Sequence, residues 1–324
     1  MDRCPSELHH RIFSLACTDG GRIGCTLSLV SRRIHATSTP VRFYTVALCS
    51  LPRMRLFLDL LRTKPILPIV SHLFLDDRNE RPSGEKPLEV VASIISIIAP
   101  SLVTLSGSVK RISNGYASVI PQELDLSLLR DLSLIVGSTW ADSDKPVHLP
   151  RLTSLRRLHS WDSVSLSSIP HINAFTRAAP NLTQIRLSNI THFPKLASVL
   201  RNALDGNGEV QEGGVIVEVP AGLKHLVIQM GPDIDWGWCG TGGMLRAELH
   251  CELVILALRS SRVELIPERK YTTEECMEDW LDVVEGGDGC WSIPPREMDE
   301  QTRNAKQNAT NVNLEGLDEW VWDD

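Results

Sequence analysis

Eight cysteines and ten histidines are the residues with which this 324-residue chain could do covalent or metal chemistry. The cysteines stand at positions 4, 17, 25, 49, 239, 251, 276 and 290, with no Cys-x-x-Cys and no short spacing to histidine of the kind a zinc site uses. A cysteine nucleophile needs a base or a cation beside it, and no paired base is recognisable for any of the eight. Only His9-His10 are adjacent histidines, and neighbours in sequence point apart on a helix. Gly-x-Ser-x-Gly, His-Glu-x-x-His and the Walker loop are all missing. Asp205-Gly-Asn-Gly-Glu opens like a calcium loop, but Val210 stands where glycine is needed and Ile216 where glutamate is needed, so it reads as a turn. The expectation is therefore a chain without catalytic residues, metal or cofactor, and not an enzyme. Its thiols read as reduced, which points to the cytoplasm or nucleus.

The side chains better suited to recognition are Arg157, His159, Trp161 and Arg186, because tryptophan and arginine are favoured anchors in interfaces. Their value depends on what positions them. The pattern L-x-x-L-x-L, with other aliphatic residues allowed, starts at Val70, Leu102, Leu129, Leu155, Leu182 and Leu223. Three consecutive gaps of 27, 26 and 27 residues fall within the leucine-rich-repeat period. The second and fourth units lack the last aliphatic residue. In Leu132-Ser-Leu134 a period of two puts both leucines on one face of a strand. One unit cannot bury that face alone, so neighbours must stack. Residues alternating with the leucines then share the opposite, concave face. These include His72, Phe74 and Asp76; Thr104 and Ser106; Asp131, Ser133 and Ile135; Arg157, His159 and Trp161; Gln184, Arg186 and Ser188; and His225, Val227 and Gln229.

Between these strands the spacing predicts helices at 51–61, 87–99, 170–179, 193–204 and 244–260, with further strands at 42–48 and 262–267, about seven in all. Thr272-Thr-Glu-Glu opens a helix over 273–285 with a capping box. The 20 uncharged residues Val90–Val109 contain Pro100 and five serines and belong to the repeat, not to a membrane span. The net charge of −7 is uneven: residues 268–324 carry 16 acidic and 5 basic side chains, and the remaining 24 acidic and 28 basic ones give +4 over 1–267. That is no footprint for nucleic acid. Residues 294–324 read as a disordered acidic tail ending in Trp320-Val-Trp322. The opening residues lack the apolar core of a signal peptide, so the Asn-x-Thr sequons at Asn181, Asn189 and Asn308 are expected to stay unmodified.

Residues 1–40 do not follow the repeat. Leu8, Ile12 and Leu15 form one helical stripe, widened by Phe13, and residues 22–33 read as a second helix with Leu27, Val30 and Ile34 along one side. Three short helices cannot hold a large core, so part of their apolar surface should meet a partner. Cys4-Pro-Ser-Glu-Leu-His-His-Arg-Ile-Phe-Ser-Leu followed by Leu29-Val-Ser-Arg-Arg-Ile-His-Ala resembles the F-box motif. Pro5 matches its proline, Leu8, Ile12 and Leu15 its first helix, and Leu29, Val30, Ser31 and Arg32 its second. Cys4 stands where leucine is usual and Ile34 where tryptophan is usual.

The resemblance implies a three-helix F-box-like module (1–40), then an irregular leucine-rich-repeat α/β solenoid with a parallel sheet (41–293). It implies a substrate-recruiting subunit of an SCF-type cullin–RING ubiquitin ligase. Pro5, Leu8, Ile12, Phe13, Leu15, Leu29, Val30 and Ser31 would bind the ligase's adaptor protein. Arg157, His159, Trp161 and Arg186 would hold a protein substrate. Two other readings stand beside it. One is a leucine-rich scaffold whose N-terminal helices merely cap the array; the other is an enzyme with a site in the Trp236–Gly243 loop.

Overall fold

The computed structural model describes residues 5–63, 69–77, 87–108, 120, 123–134, 149–161, 169–190, 196–205, 217–232 and 241–292. Cys4, Ile135, residues 236–240 of the tryptophan loop, and the acidic end from 294 lie outside them.

The chain folds as α/β around one parallel sheet that does not close. Among the described residues the sheet has eight strands, in the order of the sequence. They are β1 (Thr45–Leu48), β2 (His72–Asp76), β3 (Thr104–Ser108), β4 (Asp131–Leu134), β5 (Arg157–Ser160), β6 (Gln184–Ile190), β7 (His225–Met230) and β8 (Val263–Ile266). The register brings the repeat's leucines side by side. Val46, Leu73, Leu105, Leu132, Leu158, Ile185, Leu226 and Val263 form one ladder across all eight strands. A second ladder, two residues on, runs Leu48, Leu75, Gly107, Leu134, Ser160, Leu187, Ile228 and Leu265. Its interruptions at Gly107 and Ser160 are the positions where the second and fourth units lack an aliphatic residue. The first leucine-type residue of each unit, from Val70 to Leu223, is buried beneath these ladders. Each such side chain contributes roughly 1.5–3 kcal/mol.

On this side of the sheet lie α4 (Leu51–Thr63), α5 (Pro87–Ile98), α6 (Ile169–Ala178), α7 (Leu196–Leu204) and α8 (Thr241–Arg259). They bury residues at helical spacing, such as Met54, Phe57, Leu58 and Leu61, in one core with the ladders. Residues 90–108 thus divide between α5, a 3-10 turn and β3. Among the described residues no helix is long and apolar enough to cross a membrane.

The first three helices are α1 (Ser6–Ala16), α2 (Arg22–Val30) and α3 (Arg32–Ser38). The single helix expected over 22–33 is broken at Ser31, which is extended and accepts a hydrogen bond from the Ile34 N–H, capping α3. The break changes which side chains point inward: Phe13, Ile34 and Val41 form a small core with Leu27, and Val30 turns out to solvent. Both Asp19 carboxylate oxygens accept from the Ile23 N–H, 2.9 and 3.1 Å away, and start α2. Gly20 and Gly21 carry φ of 75° and 104° in the turn before it. The Gly20 carbonyl accepts from the Ala47 N–H at 3.2 Å, so this turn docks the helices on the outer edge of β1.

Candidate functional site

Two surfaces carry side chains that could engage a partner. The first is on the N-terminal helices. Leu8, Ile12 and Leu15 of α1 are 51%, 54% and 72% exposed, and Leu29 and Val30 at the end of α2 are 86% and 63% exposed. Pro5 is exposed just ahead of α1. Large apolar side chains displayed this freely on adjoining helices mark a docking surface more than a self-contained fold. Two residues expected on that surface have internal duties instead. Phe13 is buried in the module's core, stacked on His9 with ring centroids 5.7 Å apart. The Ser31 side chain serves as the cap of α3.

The second surface is the sheet face away from the leucine ladders. The register places the side chains there as the sequence implies: Thr45, His72, Thr104, Asp131, Arg157, Gln184 and His225 in one row, and Ala47, Phe74, Ser106, Ser133, His159, Arg186, Val227 and Glu264 in the next. Arg157, His159, Trp161 and Arg186 are brought together as expected. The face is not open, however. After β8 the chain turns back, and α9 (Thr273–Glu285) with a 3-10 turn at Gly289–Trp291 lies over it. His159, Trp161 and Arg186 are 1%, 3% and 3% exposed. A substrate cannot reach them while this cover is in place.

The helix forms for local reasons. The Thr272 side chain accepts from the Glu275 N–H at 3.2 Å, and the Glu275 carboxylate accepts from the Thr272 N–H at 2.8 Å. Gly286, at φ 97°, ends it. Its inner side buries Cys276 and Trp280 with Tyr271, Phe74 and Trp161. Thr272→Ala is expected to lower stability by about 1 kcal/mol in a urea titration, because the hydroxyl that accepts from the Glu275 N–H is lost while the N–H at position 272 remains.

The contacts beneath the cover are mostly polar. Trp280 Nε1–H donates to Thr104 Oγ1 at 3.1 Å. Cys276 Sγ lies 3.2 Å from Ser106 Oγ and 3.7 Å from Ser133 Oγ. His159 sits between Ser133 Oγ (3.2 Å from Nδ1) and Ser188 Oγ (3.0 Å from Nε2). Arg186 donates from Nε to Ser188 Oγ and from Nη2 to Gln229 Oε1, both at 3.1 Å, and from Nη1 to the Cys290 carbonyl. Its guanidinium lies 5.3 Å from the centroid of the Tyr271 ring, so neutral acceptors and a π face hold this buried cation. Asn189, in the left-handed region at φ 60°, bonds the Tyr271 backbone both ways: Oδ1 accepts from N–H at 2.7 Å, and Nδ2 donates to the carbonyl at 2.9 Å. Asn181, the other described sequon residue, spends its amide on the Thr153 carbonyl. At the rim, Arg157 pairs with the Asp131 carboxylate and lies 3.8 Å from Asp288.

Cys290 Sγ is 3.5 Å from His159 Nδ1, the separation of a nucleophile from its base. The charges do not suit that role. Burial pushes the Cys290 thiol up to about 12. Burial, aided by Arg186, holds His159 well below the ordinary imidazole range. The proton therefore stays on sulfur and the pair remains neutral, the reverse of a thiolate–imidazolium couple. Burial likewise raises Cys276, to about 11. The space left under the cover, bounded by Thr104, Ser133, Cys276, Trp280 and Trp291, is about 30 Å³, room for a water molecule or two.

Sequence reasoning found the helix and its cap but not its destination. Tyr271, Cys276, Trp280, Cys290 and Trp291 emerged as site residues only in three dimensions. The one hint was that Trp280 and Trp291 are large apolar residues in an otherwise acidic stretch. Comparison of the chain with protein-family models, with curated proteins and with solved structures finds no match.

Proposed function

We propose that the chain is a substrate-recruiting adaptor of an SCF-type cullin–RING ubiquitin ligase, with an F-box-like module at its N-terminus and a leucine-rich-repeat solenoid behind it. One observation carries the reading: Leu8, Ile12, Leu15, Leu29 and Val30, on the helices that resemble the F-box, are exposed, whereas the residues that hold those helices together are buried. A module that only capped the array would bury those five against β1. Instead the docking on β1 runs through Gly20, and Gly24 packs on the turn ahead of β1, where a Cβ would meet the Arg42 carbonyl at 2.2 Å. The exposed Arg11, Arg22 and Arg32 on the same helices favour a partner with carboxylates around an apolar groove. The repeat half of the reading is supported by strands that follow chain order and by buried leucines at matching register.

The test is co-purification of the full chain with the SCF adaptor protein. Leu8→Arg with Ile12→Arg is expected to lower capture at least ~100-fold, because two charges would be desolvated in the interface. The melting temperature should barely change, since both side chains are already in water. A folded wild-type chain that captures no adaptor would overturn the reading in favour of a leucine-rich scaffold outside any ligase.

A further inference from the structure

We propose that residues 271–292 are a resident ligand of the sheet face, which accepts in their place a helical peptide from a protein partner. The peptide would carry a tryptophan one helical turn after a small residue, and an aromatic residue just ahead of the helix. The proposal deepens the substrate-holding half of the adaptor reading and rests on it for the partner's fate, though not for the binding itself.

Four features separate this cover from an ordinary third layer. The main core, from Val46 to Leu265, contains no residue of 271–292, so sheet and outer helices already complete a two-layer structure. The face beneath the cover is largely hydrogen-bonding, with Thr104, Ser106, His159, Arg186 and Ser188 buried there and Ser133 half-buried. A parallel sheet buried permanently on both faces is normally aliphatic on both. The fit is also incomplete: Trp161 Nε1 and Gln229 Nε2 are buried without a hydrogen-bond partner, and a cavity of about 30 Å³ remains beside Cys276, Cys290 and Trp291. Finally, Glu278, Asp282 and Glu285 on the outward side of α9 are exposed, so among the described residues no further layer holds the helix down.

The recognition chemistry is read from the occupant. Trp280 fills an apolar site against Phe74, ring centroids 5.5 Å apart, and anchors its indole N–H on Thr104. Cys276, four residues earlier, lies on the two serine hydroxyls, where only a small side chain fits. Tyr271 is fixed by Asn189 and caps Trp161 and His159 edge-on at 5.4 and 4.8 Å. The occupant is joined to β8 by residues 267–270. Such a short tether holds it at an effective concentration in the ~mM range, so an external peptide competes at a disadvantage until the cover is released.

A specific protease site inserted between Arg269 and Lys270, both exposed, tests this in the full chain. The probe is a fluorescein-labelled synthetic peptide of residues 271–292. The uncut chain is expected to take up no probe. After cutting, the chain should keep its circular dichroism and bind the probe saturably, and a peptide with Trp280→Ala should compete about 30-fold more weakly. A cut chain that unfolds, or one that stays folded without exchanging its segment for the probe, overturns the proposal. Adaptor capture measured on the same samples reads the N-terminal helices separately: its failure would remove the ligase and leave the peptide site standing.

Discussion

Acidification from about pH 6.5 to about pH 4 is expected to destabilise the chain by several kcal/mol, most of it through two buried histidines. Burial lowers His72 from 6.5 to about 4, the Asp131 carboxylate opposing only in part. His72 is 8% exposed and meets Thr104 Oγ1 at 3.0 Å and the edge of the Tyr44 ring at 5.1 Å. His159 is also lowered, well below the ordinary imidazole range, by burial first and then by the Arg186 charge. It faces Cys290, Ser133, Ser188 and the rings of Tyr271 and Trp291. A histidine whose folded-state value lies below its unfolded one takes up a proton more readily when unfolded. Its stabilising effect is complete above the unfolded value, is lost as the pH falls through the window between the two, and changes no further below the folded value. For His72 that window runs from 6.5 to about 4, a loss of about 3 kcal/mol. Asp279 and Glu252, raised mainly by burial, act in the opposite direction over the carboxylate range. Urea midpoints at about pH 7 and about pH 5 would show the loss, and His72→Phe with His159→Phe should flatten it. Midpoints that do not move would mean both imidazoles meet water in the folded chain.

Gly107→Ala is expected to destabilise the sheet by about 3 kcal/mol or more. Gly107 has φ 144°, in the region that side chains rarely adopt, and a Cβ there would lie 1.9 Å from the Leu75 carbonyl oxygen. That oxygen belongs to the neighbouring strand, so only a shift of β2 against β3 could relieve the clash. The same substitution at Gly222 is the control, because its nearest atom would be 3.8 Å away and its φ is not positive. There the change should stay within about 0.5 kcal/mol. Thermal melts of both variants measure the contrast. Equal midpoints would mean that β2 and β3 are not held at the spacing described.

Gly107 also shows what the sequence could disclose. The break in the leucine pattern at the second unit was visible as a missing side chain; that the site closes on a neighbouring carbonyl was not. Strand register was legible because each unit repeats the same spacing and a slip of one residue would turn the leucines outward. The capping box fixed the helix at 273–285 because a cap is a contact between residues three apart. The place where that helix docks was hidden for the opposite reason. Trp280 and Thr104 meet across 176 residues, and nothing in an acidic amphipathic stretch names the surface it will cover. At the N-terminus, Leu8 and Ile12 read correctly as an exposed stripe. Phe13, expected on the adaptor-facing surface, packs instead into the small core with Ile34 and Val41, while Val30 is exposed as that surface requires.

The order of the sheet sets a schedule for a chain made from its N-terminus. Every strand from β1 to β7 finds its next neighbour in the segment that follows it, so the sheet can lengthen by accretion as the polypeptide emerges. The cover cannot take part until residues 271–292 have been made. A nascent chain that has reached only β8 therefore carries a finished aliphatic core and a bare polar face, with the Arg186 cation and the His159 ring open to solvent. During that interval the binding face exists before its own occupant does, and whatever meets it first does so without competition from the tethered helix.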